Sequence, residues 1–268
     1  MFSLQAVAQD LSIEEKIVIK ACSYLDSIDN YSVLQDSLQG SITTAMATVM
    51  SSGTDDERKL LSNVLTIRTL LKNAVEELPL YCPNVRRLII EHKTEKFYKR
   101  SNISQANEHF DIGNEFMKNG KFKNAVKEFK KAIKIDPNFV YAIDHLAISY
   151  RQQNKYKKAV KVYKESLEIF PEANIALMNL AVCYSLLNEE EKAIKCYEDL
   201  KYYHPNNPEG YFGLAKLSFL KKEYEKALDN IFIAHKLYVA SNSEYLTDSK
   251  KLISYLYSQL SKEDKLEL

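Results

Sequence analysis

Five histidines and four cysteines are the side chains of this 268-residue chain best suited to ligate a metal or to act as base or nucleophile. His92, His109, His145, His204 and His235 stand at no ligand spacing from one another or from Cys22, Cys82, Cys183 and Cys196. No glycine-rich phosphate loop, zinc motif or nucleophile turn occurs in the sequence. The expectation is therefore no metal, no cofactor, no small-molecule substrate and no catalytic residue. The four cysteines read as free thiols of a reducing cytoplasm, with Cys183 and Cys196 half-buried.

The other chemistry on offer is ionic. Lys121, Lys123, Lys127, Lys130, Lys131 and Lys134 gather around one nearby acid, Glu128, and Lys155, Lys157, Lys158, Lys161 and Lys164 follow at corresponding positions. Six of them, Lys123, Lys127, Lys130, Lys157, Lys161 and Lys164, form a candidate basic ridge. Such a ridge suits an acidic protein surface, an anionic membrane or nucleic acid, and it equally suits a solvated face. Lysine is a point charge and the ridge has no arginine, the better phosphate fork, which disfavours nucleic acid. Over the whole chain 37 basic residues balance 36 acidic ones, so no global pull toward a polyanion exists.

The elements that must carry these residues announce themselves by repetition. Pro137, Pro171 and Pro205 fall at a constant interval of 34 residues. Ala125, Ala159 and Ala193 precede them in step, as do Phe129, Tyr163 and Tyr197. Each period reads as two amphipathic helices joined by a tight turn, such as 106–118 and 123–135 around Asn119-Gly120. Gly120, Asn154 and Asn188 occupy the same slot and suit the left-handed conformation that ends helices. The prolines cannot continue the second helix and stop it.

This pattern resembles the tetratricopeptide repeat (TPR) family. The family's first-helix residues are matched by Ile143, Leu146, Ala147 and Tyr150, then by Leu177, Leu180, Ala181 and Tyr184. Its second-helix residues are matched by Ala125, Phe129, Ala132 and Pro137. The resemblance implies four units, 106–139, 140–173, 174–207 and 208–241. The last departs from the pattern at Ile231 and Val239, as terminal units do. A helix over 244–260, with Tyr245, Leu252, Ile253, Leu256 and Leu260 on one face, is expected to cap the array. The fold expected is an all-α solenoid, a right-handed superhelix of helix pairs, with an N-terminal helical segment over 1–100.

The resemblance also implies a concave groove lined by the first helix of each unit. Its candidate binding residues here are Asn114, Tyr141, His145, Ile148, Ile175, Met178, Asn179, Val182, Phe212, Lys216 and Phe219. The first half of the groove is polar, with Asn107, Asp111 and Asp144 alongside, and the second half is largely apolar. An apolar row of this kind suits a helical or extended protein segment. Family members that grip chaperone C-terminal carboxylates do so with lysines, arginine and asparagines. The matching slots here hold Phe110, Asn114, His145, Ile175 and Asn179, with no cation, which disfavours that role. The resemblance implies a protein-interaction scaffold or adaptor, a chaperone-like one included, that binds a protein or peptide partner, its oligomeric state open. The ridge is the alternative.

Helical patterns cover 12–28, 32–50, 55–78 and 83–100, with Ser12 and Glu15 as a capping box. Leu60, Leu61, Val64, Leu65, Ile67, Leu70, Leu71 and Val75 form a stripe broad enough to need cover on more than one side. This segment either stands as a separate domain or packs onto the array, as a cap or in its groove. Ser41 to Gly53, rich in Ser, Thr, Ala and Met, is expected to be its most mobile part. Asp10 breaks the opening, so no signal peptide is expected, and no run of about 18 apolar residues exists to span a bilayer. The expected location is the cytoplasm.

Overall fold

The computed structural model describes residues 11–262, which form fourteen helices and no strand. Asp10, on which the signal-peptide expectation rests, lies outside them. Among the described residues no helix is long and apolar enough to cross a membrane. The chain divides between His92 and Lys93 into two compact units.

The first unit holds α1 (Ile13–Leu25), α2 (Tyr31–Ser52), α3 (Asp55–Leu60), α4 (Val64–Tyr81) and most of α5 (Pro83–Phe97). Ser12 caps α1 as its sequence predicts. Its hydroxyl accepts from the Glu15 amide at 3.1 Å, and the Glu15 carboxylate accepts from the Ser12 amide at 2.8 Å. The helix expected over 55–78 is two helices. Asn63 splits them, because its side chain accepts from the amides of Leu65 and Thr66 and so starts a new helix. The stretch 41–53, expected to be mobile, is the second half of α2. Ile42, Ala45, Met46 and Val49 are buried at helical spacing, and Thr43, Thr44 and Thr48 return their hydroxyls to carbonyls one turn back. These residues close a core of their own with Ile17, Leu25, Leu70 and Leu78. Half of the α4 stripe stays outside it: Val64 is 66% and Leu65 73% exposed.

Two of the four cysteines are not free. Cys22 on α1 and Cys82 at the end of α4 are joined as a disulfide, with Cα atoms 5.5 Å apart. The residues are 60 positions apart, and only the packing of α1 along α4 brings them together. Cys183 and Cys196 remain free and are buried rather than half-buried. Burial pushes their thiols up to about 11 and about 12 respectively.

The second unit is built from helix pairs: α6 (Ser104–Lys118) with α7 (Phe122–Ile135), α8 (Val140–Arg151) with α9 (Tyr156–Ile169), α10 (Asn174–Leu186) with α11 (Glu190–Tyr203), and α12 (Pro208–Leu220) with α13 (Tyr224–Ala240). The turn inside each pair is the same device. Gly120, Asn154, Asn188 and Lys222 all adopt φ near +60°. The following amide, of Lys121, Lys155, Glu189 or Glu223, donates back to the carbonyl of Phe116, Tyr150, Tyr184 or Ser218 at 2.8–3.0 Å. Lys222 holds the strained conformation without the help of a glycine or asparagine.

Small residues let the paired helices close. A Cβ on Gly113 of α6 would sit 2.5 Å from the Phe129 ring of α7. Ala147 and Ala181 stand at the matching place in α8 and α10 and share one core with the buried rings of Tyr163 and Tyr197 on α9 and α11. The last pair shares a separate core with α14 (Leu246–Lys262), which inserts Leu256 and Leu260. Ile231 fills the aromatic slot there and is fully buried. Tyr245 precedes α14 and is 49% exposed, so it does not share the buried face expected of it.

Titration of free thiols in the unfolded, unreduced protein should count two, not four. Reduction should lower the denaturation midpoint of the first unit by an amount worth about 2–4 kcal/mol. A count of four would remove the Cys22–Cys82 bridge.

Candidate functional site

The first helices of the pairs lie side by side, α8 between α6 and α10, and α10 against α12. They present the residues singled out from sequence, but in three different conditions.

At the α6 end, Asn114 and His145 line an open cleft of about 750 Å³ together with Met117, Phe122 and Gln152. His145 is half-buried, and its Nδ1–H donates to the Tyr141 carbonyl at 2.8 Å. The rings of Phe110 and Phe129 lie 5.1 and 5.7 Å from it. Burial holds its pKa below the usual histidine value, so the ring is neutral at pH 7. It is a structural imidazole with its donor satisfied. His109 pairs with Glu128 at 2.8 Å, and His204 donates to the Glu172 carbonyl at 2.6 Å. No cluster of three potential metal ligands exists among the described residues.

In the centre, the chain's own residues occupy the strip. Tyr98, one residue past α5, donates its hydroxyl to Asp144 Oδ2 at 2.7 Å. Its ring lies 5.2 Å from Tyr141 and 5.6 Å from Phe170. Phe97 stacks on Phe170 at 5.5 Å, and Lys93 pairs with Glu172 at 2.5 Å. Arg100 forks onto both carboxylate oxygens of Asp111 at 3.0 and 2.7 Å. Asn107 exchanges hydrogen bonds with the backbone of Ser101. Four polar groove positions, Asn107, Asp111, Tyr141 and Asp144, are thus all engaged from within the chain. Asp144 has no exposure at all. Burial raises its pKa to about 6, against the pull of the Ser166 and Tyr98 hydroxyls. Tyr98, Phe170 and Glu172 were not visible as site residues in the sequence. The one signal was the aromatic pair Phe97-Tyr98 among the junction lysines.

At the far end, Ile148, Ile175, Met178, Val182, Phe212 and Phe219 are half-buried rather than openly exposed. Asn179 is buried and spends its amide on the Ile175 carbonyl of its own helix at 2.9 Å. Lys216 is exposed, with its ammonium 5.7 Å from the centre of the Phe212 ring. Phe219 packs edge-on against Tyr255 of α14 at 5.3 Å. The apolar stretch therefore has a roof at the Phe219 end.

The ridge lysines, 123, 127, 130, 157, 161 and 164, are all exposed on α7 and α9. Lys161 reaches Glu165 at 3.9 Å, while Lys123, Lys127, Lys130, Lys157 and Lys164 make no ion pair among the described residues.

Residues 114–245 match the family model described as Psidin, N-terminal TPR repeats region. Among solved structures the chain is similar to a tetratricopeptide repeat protein from Parabacteroides merdae, at 20% identity and a TM-score of 0.51. That match covers 59% of this chain and 62% of the other, less than two thirds of its length. The chain is also similar to the first TPR of Spaghetti bound to an HSP90 peptide, at 24% identity and a TM-score of 0.43, covering 44% of this chain and 94% of that one. A thermophilic TPR protein of Thermus thermophilus gives 18% identity and 0.48 over 60% of this chain and 85% of the other. No curated protein matches the chain.

The Asp144 carboxyl has a stability signature. Its folded pKa lies above the ordinary carboxylate value, so the folded array holds that proton more tightly than the unfolded chain. Its contribution is full below about pH 4 and is lost as pH rises through about 6. Asp144→Asn keeps an acceptor for Tyr98 and removes the charge. By urea denaturation the variant should be more stable than the parent by about 1–3 kcal/mol at pH 7.5, with the gap closing near pH 4. A variant less stable at pH 7.5 would show that Asp144 acts as a paired anion instead.

Proposed function

We propose, from the premise that this chain is a tetratricopeptide-repeat protein, that it is a non-catalytic interaction scaffold binding a protein segment along its first-helix strip. The binding residues are Ile175, Met178 and Val182 of α10 with Phe212 and Lys216 of α12. The observation that carries this reading is the contrast along the strip. The central acids are already engaged by the chain itself, whereas α10 and α12 offer a run of half-buried apolar side chains beside a cation. A helical or extended segment with apolar anchors and an acidic flank toward Lys216 fits this surface.

Carboxylate-terminal chaperone tails fit it less well. Relatives of this fold include structures bound to HSP90 and HSP70 peptides. In this chain the slots for gripping such a tail hold no cation, and Phe110 and Asn179 among them are buried. Any chaperone-like role would therefore rest on holding an apolar segment.

The exposed ridge lysines without acid partners support one further reading, an electrostatic contact with an acidic surface. It and the strip respond to different changes. Met178→Asp and Phe212→Asp should each weaken binding of a groove partner at least about tenfold, by isothermal titration, with unchanged helicity. Partner binding unaffected by both would end the groove reading. Charge reversal at Lys127, Lys130 and Lys161 should instead abolish only contacts that weaken steeply with salt, measured as the slope of affinity against ionic strength. Salt-independent binding lost in that variant would count against a separate ridge site.

A further inference from the structure

The central strip between α8 and α10 has the composition of a binding site, and it is filled. We propose that it recognises a basic–aromatic helical segment, one cation followed four and five positions later by two aromatic residues, and that Lys93, Phe97 and Tyr98 occupy it in cis as a displaceable ligand. This site is distinct from the apolar α10–α12 stretch and does not rest on that reading.

Three contacts of different chemistry converge on it. The cation meets Glu172, whose side chain is only 14% exposed. The first aromatic stacks on Phe170. The second enters between Tyr141 and Phe170 and places its hydroxyl on Asp144. A helix explains the spacing, because positions i and i+4 share a face and i+5 lies next to it. Lys93 and Phe97 both belong to α5.

The cis segment does not use all that the site offers. Glu172 Oε2 is buried and accepts no hydrogen bond, although the other oxygen of that carboxylate is engaged by Lys93. A lysine gives Glu172 a point contact, whereas an arginine fork would reach both oxygens. A ligand with arginine at the first position therefore competes better than the resident segment. The buried Glu172 oxygen left unpaired by the resident is the physical reason that it can leave.

The test uses the full chain and a fluorescent peptide of residues 89–102, in its own sequence and with Lys93→Arg. The parent protein should bind the native-sequence peptide weakly, because the cis copy competes. The double variant Phe97→Ser/Tyr98→Ser should bind it about tenfold more tightly, and the arginine peptide more tightly still. Adding Asp144→Ala and Glu172→Gln to that variant should remove binding. A folded double variant that binds the peptide no better than the parent overturns the proposal. If the double variant does not fold, hydrogen exchange on the parent decides. Saturating arginine peptide should expose the amides of 93–98, and unchanged protection overturns the proposal. Met178→Asp should leave peptide affinity unaltered, so failure here and failure of the apolar site are separable.

Discussion

The array depends on one steric constraint: a small residue on the first helix of a pair must stand where a large side chain of the second helix arrives, an aromatic ring in the first three pairs and Ile231 in the last. Gly113 meets the Phe129 ring, Ala147 and Ala181 hold the same repeat slot in one core with Tyr163 and Tyr197, and Gly213 of the next pair also abuts the Tyr197 ring. With the backbones this close, each pair is thin and has apolar residues left on both sides. Phe139, Ile143, Leu146, Phe170 and Leu180 fill the gaps to the next pair, which is why they are buried although no single pair could bury them. The identical left-handed turn after α6, α8, α10 and α12 follows from the same constraint, since only a reversal of that geometry lays the second helix back on the first.

Stacking by repetition creates two unlike ends. At the C-terminal end α14 replaces a further pair and covers Ile231, Tyr238 and Phe219 with Leu256, Leu260 and Tyr255. His235 fastens it through Ser249 at 2.9 Å. At the other end the residues from Lys93 to Ser101 lie along α8 and the α9–α10 turn, so the polar half of the strip is occupied from within the chain while the apolar half is not. The division of the strip into polar and apolar halves, plain in the sequence, thus acquires a physical meaning.

Legibility followed periodicity. The helix pairs, the turn positions Gly120, Asn154 and Asn188 and the buried alanine and aromatic slots all recur every 34 residues, and recurrence makes a weak local preference decisive. Lys222 shares their turn geometry only because the array imposes it; a lysine alone signals nothing of the kind. Contacts without a period were not legible. The break at Asn63 rests on one side chain choosing to cap a helix. The Ser/Thr-rich half of α2 looked mobile because composition hides the four buried residues that hold it. Cys22–Cys82 joins residues 60 apart, and Tyr98–Asp144 joins residues 46 apart, pairings that only the packed helices define. Groove positions could be numbered from the repeat, but whether each was open, roofed or self-bonded depended on segments outside the repeat.

The central acids also govern what the scaffold can accept. A carboxylate such as Asp144 is costly to bury, and its raised pKa records that cost. It tolerates burial because Tyr98 gives it a hydroxyl, and Glu172 because Lys93 gives it a charge. An acidic segment laid along the same strip would replace a donor with a third negative charge in surroundings of low polarisability, where repulsion is far stronger than in water. An apolar segment would leave Glu172 without its cation and Asp144 without the Tyr98 hydroxyl. Only cationic and hydroxyl-bearing aromatic groups satisfy them. On the proposed reading the centre of the strip would discriminate by sign of charge and the α10–α12 stretch by apolar fit, and a partner long enough to cover both would carry the two chemistries in that order along its length.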